Sequence, residues 1–481
     1  MYLYAKGIKP NRRSCMRTVS KTVIGVDFGT QSARAVLVNA ENGEIIYSCR
    51  KEYPYNSTPV PAIDCAENLP CATDYEMTLY ELLRNVIPEE YRKTVAGICV
   101  DATSLTMVLL AEDGRALSEL DGWSEAAHAR VKLWKYHRAQ EKADEALNLA
   151  RNLQEPFLGR TGGSISCEWM LPKLLEVRDE APEIYSKIDL AMDLCEFLTF
   201  RLTGQLVRSI GSLSYKCLWA EDLSFPERTF LNGLRAGFYE EYCHFLRGDV
   251  RKPGECAGML RSELTKRWGL PEQIPVATGM LDGHTSLATM GAFEPGDAAL
   301  IVGTSNVCTV QDRKLQELKD VCGVAQDGMV TGSCGIDTGQ SSTGNMLGWF
   351  VEHMAGWQIH REAEERKISP HQVLAERIQK PWENKVIAVD WWSGSRNAPC
   401  DLTLRGSMSG LEMDTKTEDI YLALLQAIAC GTGTILESLS GQGVEIGRVL
   451  ATGGITEKNP LLMQEYAHPV SYTHLTLPTN S

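Results

Sequence analysis

Three short glycine turns follow apolar, strand-like runs and have the composition of phosphate-binding turns. They are Gly29-Thr30, Gly303-Thr304 and Gly453-Gly454. Glycine lets backbone N–H groups approach an anion without a side chain in the way, and neighbouring hydroxyls add donors. Each turn alone is more often a plain hairpin or strand-to-helix turn, but three together indicate a nucleotide. The chain contains neither G-x-x-x-x-G-K-[ST] nor G-x-G-x-x-G, which argues against Walker-type and Rossmann sites.

Two aspartates stand where a carboxylate could take part in phosphoryl transfer. Asp27 ends an apolar run directly before the first glycine turn, a place where a carboxylate can hold Mg²⁺ through water beside a triphosphate. Asp282 follows another strand-like run and begins a helix, so it can face a substrate hydroxyl as a general base. Turn capping for Asp27 and helix capping for Asp282 are the structural alternatives. For His284 we expect a structural role.

The composition describes a globular protein of several domains. The chain has 481 residues, 43% of them hydrophobic, and 62 acidic against 48 basic side chains give a formal charge of −14. At roughly 100–200 residues per domain, this length predicts two or three domains. The acidic balance argues against nucleic acid as a partner. No run approaches the roughly 20 apolar residues of a membrane span, and the N-terminus lacks a secretory signal, so we expect a cytoplasmic protein without a membrane partner.

The cysteines and histidines do not indicate a metal centre. The 15 cysteines include no Cys-x-x-Cys pair, and the nine histidines form no His-Glu-x-x-His pair. Neither a disulfide framework nor a zinc site is therefore predicted.

Both ends of the chain differ from the rest. Residues 1–20 are basic at their start and aperiodic, and we expect them to be a disordered extension, with Met16 as an alternative translation start. The run PVSYTHLTLPT at 469–479 can be encoded by the end of a transposon-based sequencing adapter. We therefore expect residues 468–481 to be a non-native tail and the second domain to be cut short near Ala467.

The elements that must position these residues alternate between strands and helices. Residues 22–38 predict a hairpin around Gly29-Thr30, and 96–101 predicts another strand. Helical spacing of apolar residues occurs at 124–150, 168–179 and 189–203. The first half is thus a mixed α/β domain with a helical portion.

The second half repeats parts of the first. Residues 298–310 again have two apolar runs around a Gly-Thr turn, and 386–396 echoes 98–104 as an apolar strand ending in Asp. Two echoes in the same order suggest duplicated domains. A buried helix at 420–439 and a strand at 449–454 follow. We place the boundary at the turn near 292–297, which gives domains 21–292 and 293–467.

Ordered motifs over most of residues 20–467 resemble the FGGY family of carbohydrate kinases. They are DFGTQSARAVL at 27–37, VKLWKYHRAQ at 131–140, GGSISCEWMLPKLLEVRDEAP at 162–182, GMLDGHTS at 279–286, GTSN at 303–306, DTGQSSTGNMLGWF at 337–350, DWWSGSR at 390–396 and ATGGITEKNPLLMQ at 451–464. The resemblance implies an α/β fold of two ribonuclease-H-like, actin-type ATPase domains flanking a cleft for ATP and sugar. Each domain then supplies one phosphate turn.

The same resemblance implies a role for each matching residue. Asp282 would be the general base that takes the proton from the attacking sugar hydroxyl. By motif, the other residues fall into three groups: Ala102, Lys216 and Asp337, with Asp282, at the sugar; Gly29, Thr30, Gln31, Gly303, Thr304, Gly453, Gly454 and Asn459 at ATP and its phosphates; and Asp27 at Mg²⁺ through water. Glu168 and Trp169 would border the sugar pocket. Strand packing for Ala102 and a solvated charge for Lys216 are the structural alternatives.

Two departures from the family pattern bear on the substrate. The ketopentose kinases that this chain resembles carry Glu where it has Asp337, so its carboxylate is one methylene shorter and would reach a sugar hydroxyl through water. The segment SGSRNAPCDLTLRGSMSGL at 393–411 resembles the ribitol- and D-ribulose-directed branch. We expect phosphorylation of L-ribulose at its terminal hydroxyl, with D-ribulose or ribitol as alternatives. A sugar-binding but inactive protein and an actin-type nucleotide-binding protein remain alternative functions. A homodimer is a possible oligomeric state.

Overall fold

The structure, a computed structural model, describes residues 20–53, 69–379, 384–397, 399–401, 403–467 and 475–476. The predicted extension at 1–20 lies outside these residues except for Ser20. The predicted tail at 468–481 likewise lies outside them except for two residues, Leu475 and Thr476, whose backbone forms a short strand.

The first domain is built on a sheet of seven strands, and helices pack against it. Its strands, together with those outside the sheet, are β1 Thr22–Phe28, β2 Ser32–Asn39, β3 Ile45–Glu52, β4 Val95–Ala102, β5 Met107–Leu110, β6 Leu190–Asp193, β7 Val207–Ser209, β8 Asp249–Arg251, β9 Cys256–Met259, β10 Pro275–Ala277 and β11 Met280–Leu281. The order in the sheet is β3-β2-β1-β4-β10-β9, with β11 paired to β4. Pairing of β1 with β2 is antiparallel and pairing of β1 with β4 is parallel.

The helices of this domain are α1 Ala72–Val86, α2 Gln140–Leu153, α3 Met170–Glu180, α4 Pro182–Tyr185, α5 Leu194–Thr203, α6 Ile210–Lys216, α7 Arg228–Leu234, α8 Phe238–Phe245, α9 Ser262–Trp268 and α10 Asp282–Met290. Helix α5 shows how local sequence sets such a boundary. Asp193 and Glu196 form a capping box at its start, and Gly204, with φ of 71°, ends it in the left-handed conformation. Its apolar side chains join the core on the sheet.

The second domain repeats the arrangement around a sheet of six strands in the order β14-β15-β13-β12-β18-β19. Its elements are β12 Asp297–Val302, β13 Asn306–Asp312, β14 Gly323–Gln326, β15 Cys334–Gln340, α11 Gly344–His353, α12 Gly356–Arg366, α13 Pro370–Arg377, β16 Ile387–Ala388, β17 Met408–Ser409, α14 Thr417–Gly441, β18 Arg448–Thr452, α15 Gly454–Lys458, α16 Pro460–Ala467 and β19 Leu475–Thr476. Strand β12 pairs antiparallel with β13 and parallel with β18. Both glycine turns of this domain therefore lie at the same edge of the sheet.

Helix α14 is the long apolar helix expected at 420–439. It has 25 residues, and its mean hydropathy of 1.4 over the most apolar stretch is enough for a membrane span by length and composition, but 67% of that stretch is buried. Its buried side chains belong to the core of the second domain. We therefore describe it as a core helix.

The structure corrects three expectations about elements. Residues 124–139 are not helical apart from a 3₁₀ turn at Ala127–Ala129, and α2 begins at Gln140. The chain at Lys132 instead pairs with Met107 through two backbone hydrogen bonds of 2.9 and 3.1 Å. Residues 190–193 are strand β6 and not the start of a helix. The predicted strand at 386–396 is only β16, which pairs with β17 outside the main sheet, so its echo of 98–104 is not structural.

Candidate active site

Three carboxylates meet at one edge of the first sheet. In the parallel pair of β1 and β4, Asp27 is the register partner of Asp101. Strand β11 runs parallel to β4 on its other side, with Leu281 opposite Ala102, so Asp282 follows directly. The carboxyl ends of parallel strands lie at one edge of a sheet, which explains why residues far apart in the chain come together here.

This edge is acidic and partly buried. Burial, together with the nearby charge of Asp27, raises the pKa of Asp282 to about 7. Burial is also the main cause that raises the pKa of Asp101 far above its ordinary value, and the neighbouring carboxylates Asp27 and Asp282 raise it further. The pKa of Asp27 is raised by burial, although a hydrogen bond with Asp101 opposes this. A carboxyl group with a pKa near neutrality is suited to accept a proton at neutral pH.

Asp282 is the first residue of α10, and Leu281 is the helix cap. Its Oδ1 accepts a hydrogen bond of 2.7 Å from the N–H of Gly283. Gly283 in turn faces the second domain, because a Cβ added there would lie 3.5 Å from Val307 of β13. The predicted base therefore lies where the two domains meet.

The first glycine turn is fixed by contacts from outside its hairpin. The N–H of Gly29 donates to the carbonyl of Ser32 over 3.2 Å, which closes the turn. The hydroxyl of Tyr53 donates to the carbonyl of Gly29 over 2.9 Å, and Trp134 Nε1 donates to the hydroxyl of Thr30 over 3.1 Å. Gln31 follows in the same turn, and its carbonyl accepts from the N–H of Tyr53 over 3.4 Å. The turn is thus rigidly placed beside Asp27.

The second turn packs against the loop that leads into α11. The carbonyl of Gly303 accepts from the hydroxyl of Thr343 over 2.9 Å and from the N–H of Gly344 over 3.1 Å. The carbonyl of Thr304 accepts from the N–H of Asn345 over 3.1 Å. A Cβ added at Gly344 would lie 2.6 Å from that Gly303 carbonyl, so the loops pack with no room for a side chain.

The third turn joins the same edge through Gly453. Its φ is 120°, and an added Cβ would lie 2.3 Å from the carbonyl oxygen of Val302, so only glycine fits. Around Gly454 the space is open, with nothing within 4 Å of an added Cβ. Asn459 has a structural explanation of its own, because its Oδ1 accepts from the N–H of Leu462 over 3.1 Å as the cap of α16. Its amide also donates to Tyr421 over 3.4 Å.

A cross-domain ion pair lies on the predicted sugar side. Lys216, at the end of α6, donates to Asp337 Oδ2 on β15 over 3.0 Å. Asp337 Oδ2 also lies 3.7 Å from His284 Nε2. Although burial alone would raise it, the pKa of Asp337 is held far below its ordinary value by Lys216 and His284. The shorter Asp side chain therefore reaches a cation of the other domain directly.

Glu168 belongs to a second cross-domain group. Arg396 Nη2 donates to Glu168 Oε1 over 2.7 Å, and His137 Nε2 lies 2.9 Å from the same oxygen. Burial would raise the pKa of Glu168, but Arg396 and His137 lower it to about 2. The charges of both Asp337 and Glu168 act to raise the pKa of Lys216, which places the two groups in one region.

Two of the predicted pocket residues are packed in the protein interior. Ala102 is 0% exposed and belongs to the apolar core of the first sheet, which agrees with strand packing. Trp169 is 3% exposed and packs in the helical core of the first domain.

The acidic edge has the chemistry to share a magnesium ion with bound phosphates. Asp101 Oδ1 is buried and, within the described residues, has no hydrogen-bond partner. In the same part of the chain, no group of three or more His, Cys, Asp or Glu side chains could hold a metal alone. Mg²⁺ usually keeps several waters and takes one or two protein carboxylates plus phosphate oxygens. Asp27 and its neighbour Asp101 fit such a shared site.

The sequence matches the N-terminal domain of the FGGY family of carbohydrate kinases over residues 22–290 and the C-terminal domain of the same family over residues 298–473. The chain belongs to this family. It is therefore a phosphotransferase that uses ATP and binds a sugar, as the resemblance of its motifs implied.

Full-length relatives agree with this assignment. The ribulokinase of Halalkalibacterium halodurans is 34% identical over 458 residues, which cover 93% of this chain and 81% of that protein. The ribulokinase of Mycolicibacterium smegmatis is 36% identical over 463 residues, with shares of 93% and 81%.

Solved structures support the fold. A xylulose kinase from Lactobacillus acidophilus has a TM-score of 0.73 at 19% identity and covers 93% of this chain and 84% of its own. A glycerol kinase from Plasmodium falciparum, solved with ADP, has a TM-score of 0.72 at 17% identity and the same two shares. The predicted two-domain α/β fold is confirmed.

Sequence reasoning missed three residues of this region. Asp101 ends a strand whose pattern was recognised, but its place beside Asp27 follows from strand register. Arg396 and His137 lie inside motifs quoted for the family, yet neither had a predicted role. An isolated charge at the end of an apolar strand was the one available signal, and it applied only to Asp101.

Proposed function

We propose that this FGGY kinase transfers the γ-phosphoryl group of Mg·ATP to the terminal hydroxyl of L-ribulose, giving L-ribulose 5-phosphate. The observation that carries the proposal is the position and basicity of Asp282. Its pKa is raised to about 7 by burial and by Asp27, and it begins the helix that contacts the second domain. Lys216 is close enough to affect the same carboxyl group.

In this proposal the sugar lies between Asp282 and the ion pair of Lys216 with Asp337. These two charged side chains bind and orient hydroxyls of the sugar, and Asp282 Oδ takes the proton of the attacking hydroxyl. Phosphoryl transfer has a loose transition state whose charge spreads over the phosphoryl oxygens, so positioned N–H and O–H donors lower its energy. The turns at Gly29-Thr30-Gln31 and Gly303-Thr304 supply such donors.

ATP would lie along the second domain, with its phosphates at the glycine turns. Gly453, Gly454 and Asn459 are assigned to the adenosine side, where the lack of a side chain at Gly454 leaves open space. Mg²⁺ belongs to the proposal as an ion shared by Asp27, water and the phosphates, and when bound it would neutralise phosphate charge.

The choice of L-ribulose rests on the named relatives and is the finer part of the proposal. Both relatives described above are ribulokinases, at 34% and 36% identity. Asp337 and the segment at 393–411 depart from that pattern, so D-ribulose and ribitol are the competing substrates. A domain boundary at 292/293, between α10 and β12, and a cytoplasmic location belong to the same proposal. For a homodimer the described residues offer no specific support.

The direct test measures ADP release with Mg·ATP and each of L-ribulose, D-ribulose, L-xylulose, D-xylulose and ribitol. We expect kcat/KM for L-ribulose to exceed that for every other sugar by about tenfold or more, and phosphorus NMR of the product to show a 5-phosphate. A preference for D-ribulose or ribitol would reassign the substrate. A folded protein without sugar-dependent ADP release would remove the proposal and favour a nucleotide-binding or inactive sugar-binding protein.

A further inference from the structure

On the predicted sugar side, two ion pairs cross between the domains with opposite polarity. In one, the first domain supplies the cation, because Lys216 lies 3.0 Å from Asp337 of the second domain. In the other, the first domain supplies the anion, because Glu168 lies 2.7 Å from Arg396 of the second domain. In this region each domain therefore presents one positive and one negative charge to the other.

This alternation permits one alignment of the domains. A shift that brought Lys216 opposite Arg396 would replace an attractive contact with a repulsive one and would leave Glu168 and Asp337 without their partners. Such repulsion excludes the wrong register more strongly than a single ion pair could. The side chains of Lys216, Asp337 and Glu168 are only 8%, 11% and 9% exposed and that of Arg396 is 32% exposed, so solvent screens these interactions less than it would at the open surface.

Contacts within each domain also hold these charged residues in place. Asn397, next to Arg396, accepts from the N–H of Gly339 over 2.8 Å and donates to the carbonyl of Asp320 over 3.0 Å. Gly339 is two residues from Asp337 on β15, so the loop that carries Arg396 is tied to the strand that carries Asp337. On the first domain, His137 holds Glu168 from its own side at 2.9 Å.

We propose that Arg396 is a positioning residue for phosphoryl transfer, which docks on Glu168 and sets the register in which the second domain meets the sugar. This inference rests on the proposed function, since it assigns the sugar to the pocket beside Lys216 and Asp337. In this proposal Arg396 acts through Glu168 and through the tie of its neighbour Asn397 to β15. Losing the contact misaligns the phosphate turns relative to the sugar.

The test is a double-mutant cycle with Arg396→Gln, Glu168→Gln and both together, assayed with the sugar that the wild type phosphorylates best. We expect each single change to lower kcat by about ten- to hundredfold, as a misplacement of reacting groups does, with KM for ATP within about twofold. Because the two residues act as one pair, the double variant should be no slower than the slower single variant. Arg396→Lys, which keeps the charge, should recover part of the loss.

A third cross-domain pair serves as the matched control. Lys252 lies 2.7 Å from Asp327, at the turn end of the β14–β15 hairpin and away from Asp337. Lys252→Gln should leave kcat within about twofold of wild type, as expected for a pair outside the sugar pocket. Single variants at Arg396 and Glu168 with near-normal kcat, or losses that multiply in the double variant, would overturn the proposal.

Small-angle X-ray scattering tests this inference independently of the proposed function, because the radius of gyration can be measured without sugar phosphorylation. With nucleotide bound, Arg396→Gln should have a larger radius of gyration than wild type, while Lys252→Gln should not. If the wild type transfers phosphate to no sugar, the proposed function fails, and the scattering still tests whether the contact of Arg396 with Glu168 aligns the domains. An unchanged radius of gyration for Arg396→Gln would then reject it.

Discussion

The hydroxyl of Tyr215 in the first domain donates a hydrogen bond of 2.8 Å to the carbonyl of Gly335 in the second. Three glycines of the second domain surround this side chain. A Cβ added at Gly323, Gly328 or Gly335 would lie 2.6, 2.6 or 2.5 Å from an atom of Tyr215. The ring also packs edge-on against His284, with ring centroids 4.7 Å apart. Tyr215 thus links the second domain to the helix that begins with Asp282.

We expect Gly335→Ala to destabilise the protein by about 1–3 kcal/mol, because the new methyl group would overlap the Tyr215 hydroxyl in a filled interface. Urea denaturation followed by fluorescence measures this change. The control is Gly348→Ala in α11, where an added Cβ meets nothing within 4 Å. That change should be neutral or stabilising by up to about 1 kcal/mol, since alanine is favoured over glycine in a helix. Equal stability of Gly335→Ala and wild type would contradict this prediction and show that the interface adjusts to the added methyl group.

Asp282→Asn should lower kcat by about 10²- to 10⁴-fold, because the amide cannot accept the proton of the sugar hydroxyl. Affinity for ATP should change little, since the phosphate turns do not depend on this carboxylate. Coupled ADP release measures kcat, and calorimetry measures nucleotide binding. Asp113→Asn makes the same chemical change in an exposed loop and should leave both unchanged. Near-normal turnover by Asp282→Asn would remove Asp282 as the base.

Local signals in the sequence were enough for the elements that carry the site. The hairpin at β1–β2, the helix α14 and the strand β18 all lie where apolar periodicity placed them. These elements are marked by short-range patterns and by glycine turns, which act within a few residues.

Contacts between distant residues were beyond such reasoning. Arg396 meets Glu168 across 228 positions of sequence, and no local pattern encodes a partner that far away. Asp101 gains its neighbour Asp27 from the register of two parallel strands, which a turn does not fix. The helix predicted at 124–150 was wrong over residues 124–139 for a related reason. Two backbone hydrogen bonds pair Lys132 with Met107, so this residue cannot be part of a helix, although the apolar spacing around it resembles one.

The pH dependence should follow the ionisation of Asp282. Burial and the charge of Asp27 raise its pKa to about 7, whereas an exposed aspartate has a pKa of about 4. A general base works only when deprotonated, so kcat/KM for the sugar should reach its maximum above pH 7. Below it, the value should fall about tenfold per pH unit. Rates measured at saturating Mg·ATP from acidic to neutral pH test this, and a flat profile down to about pH 5 would contradict it.

Asp337→Asn should weaken sugar binding without affecting ATP. The change removes the anion that lies 3.0 Å from Lys216 and that raises the pKa of this lysine against the effect of burial. Lys216 would then be a buried cation without its partner, and its ammonium group would be a weaker and less well oriented donor to a sugar hydroxyl. Because hydrogen bonds to charged groups contribute about 1.5–3 kcal/mol, we expect KM for the sugar to rise roughly ten- to hundredfold.

The matched control for this change is Asp327→Asn, which breaks the pair with Lys252 across the same domain interface. It should leave KM for the sugar within about twofold of wild type, because a partly exposed pair outside the pocket contributes little. KM for ATP should stay constant in both variants. If Asp327→Asn raised KM for the sugar as much as Asp337→Asn does, the effect would come from a loosened interface. The direct role of Asp337 and Lys216 at the sugar would then be wrong.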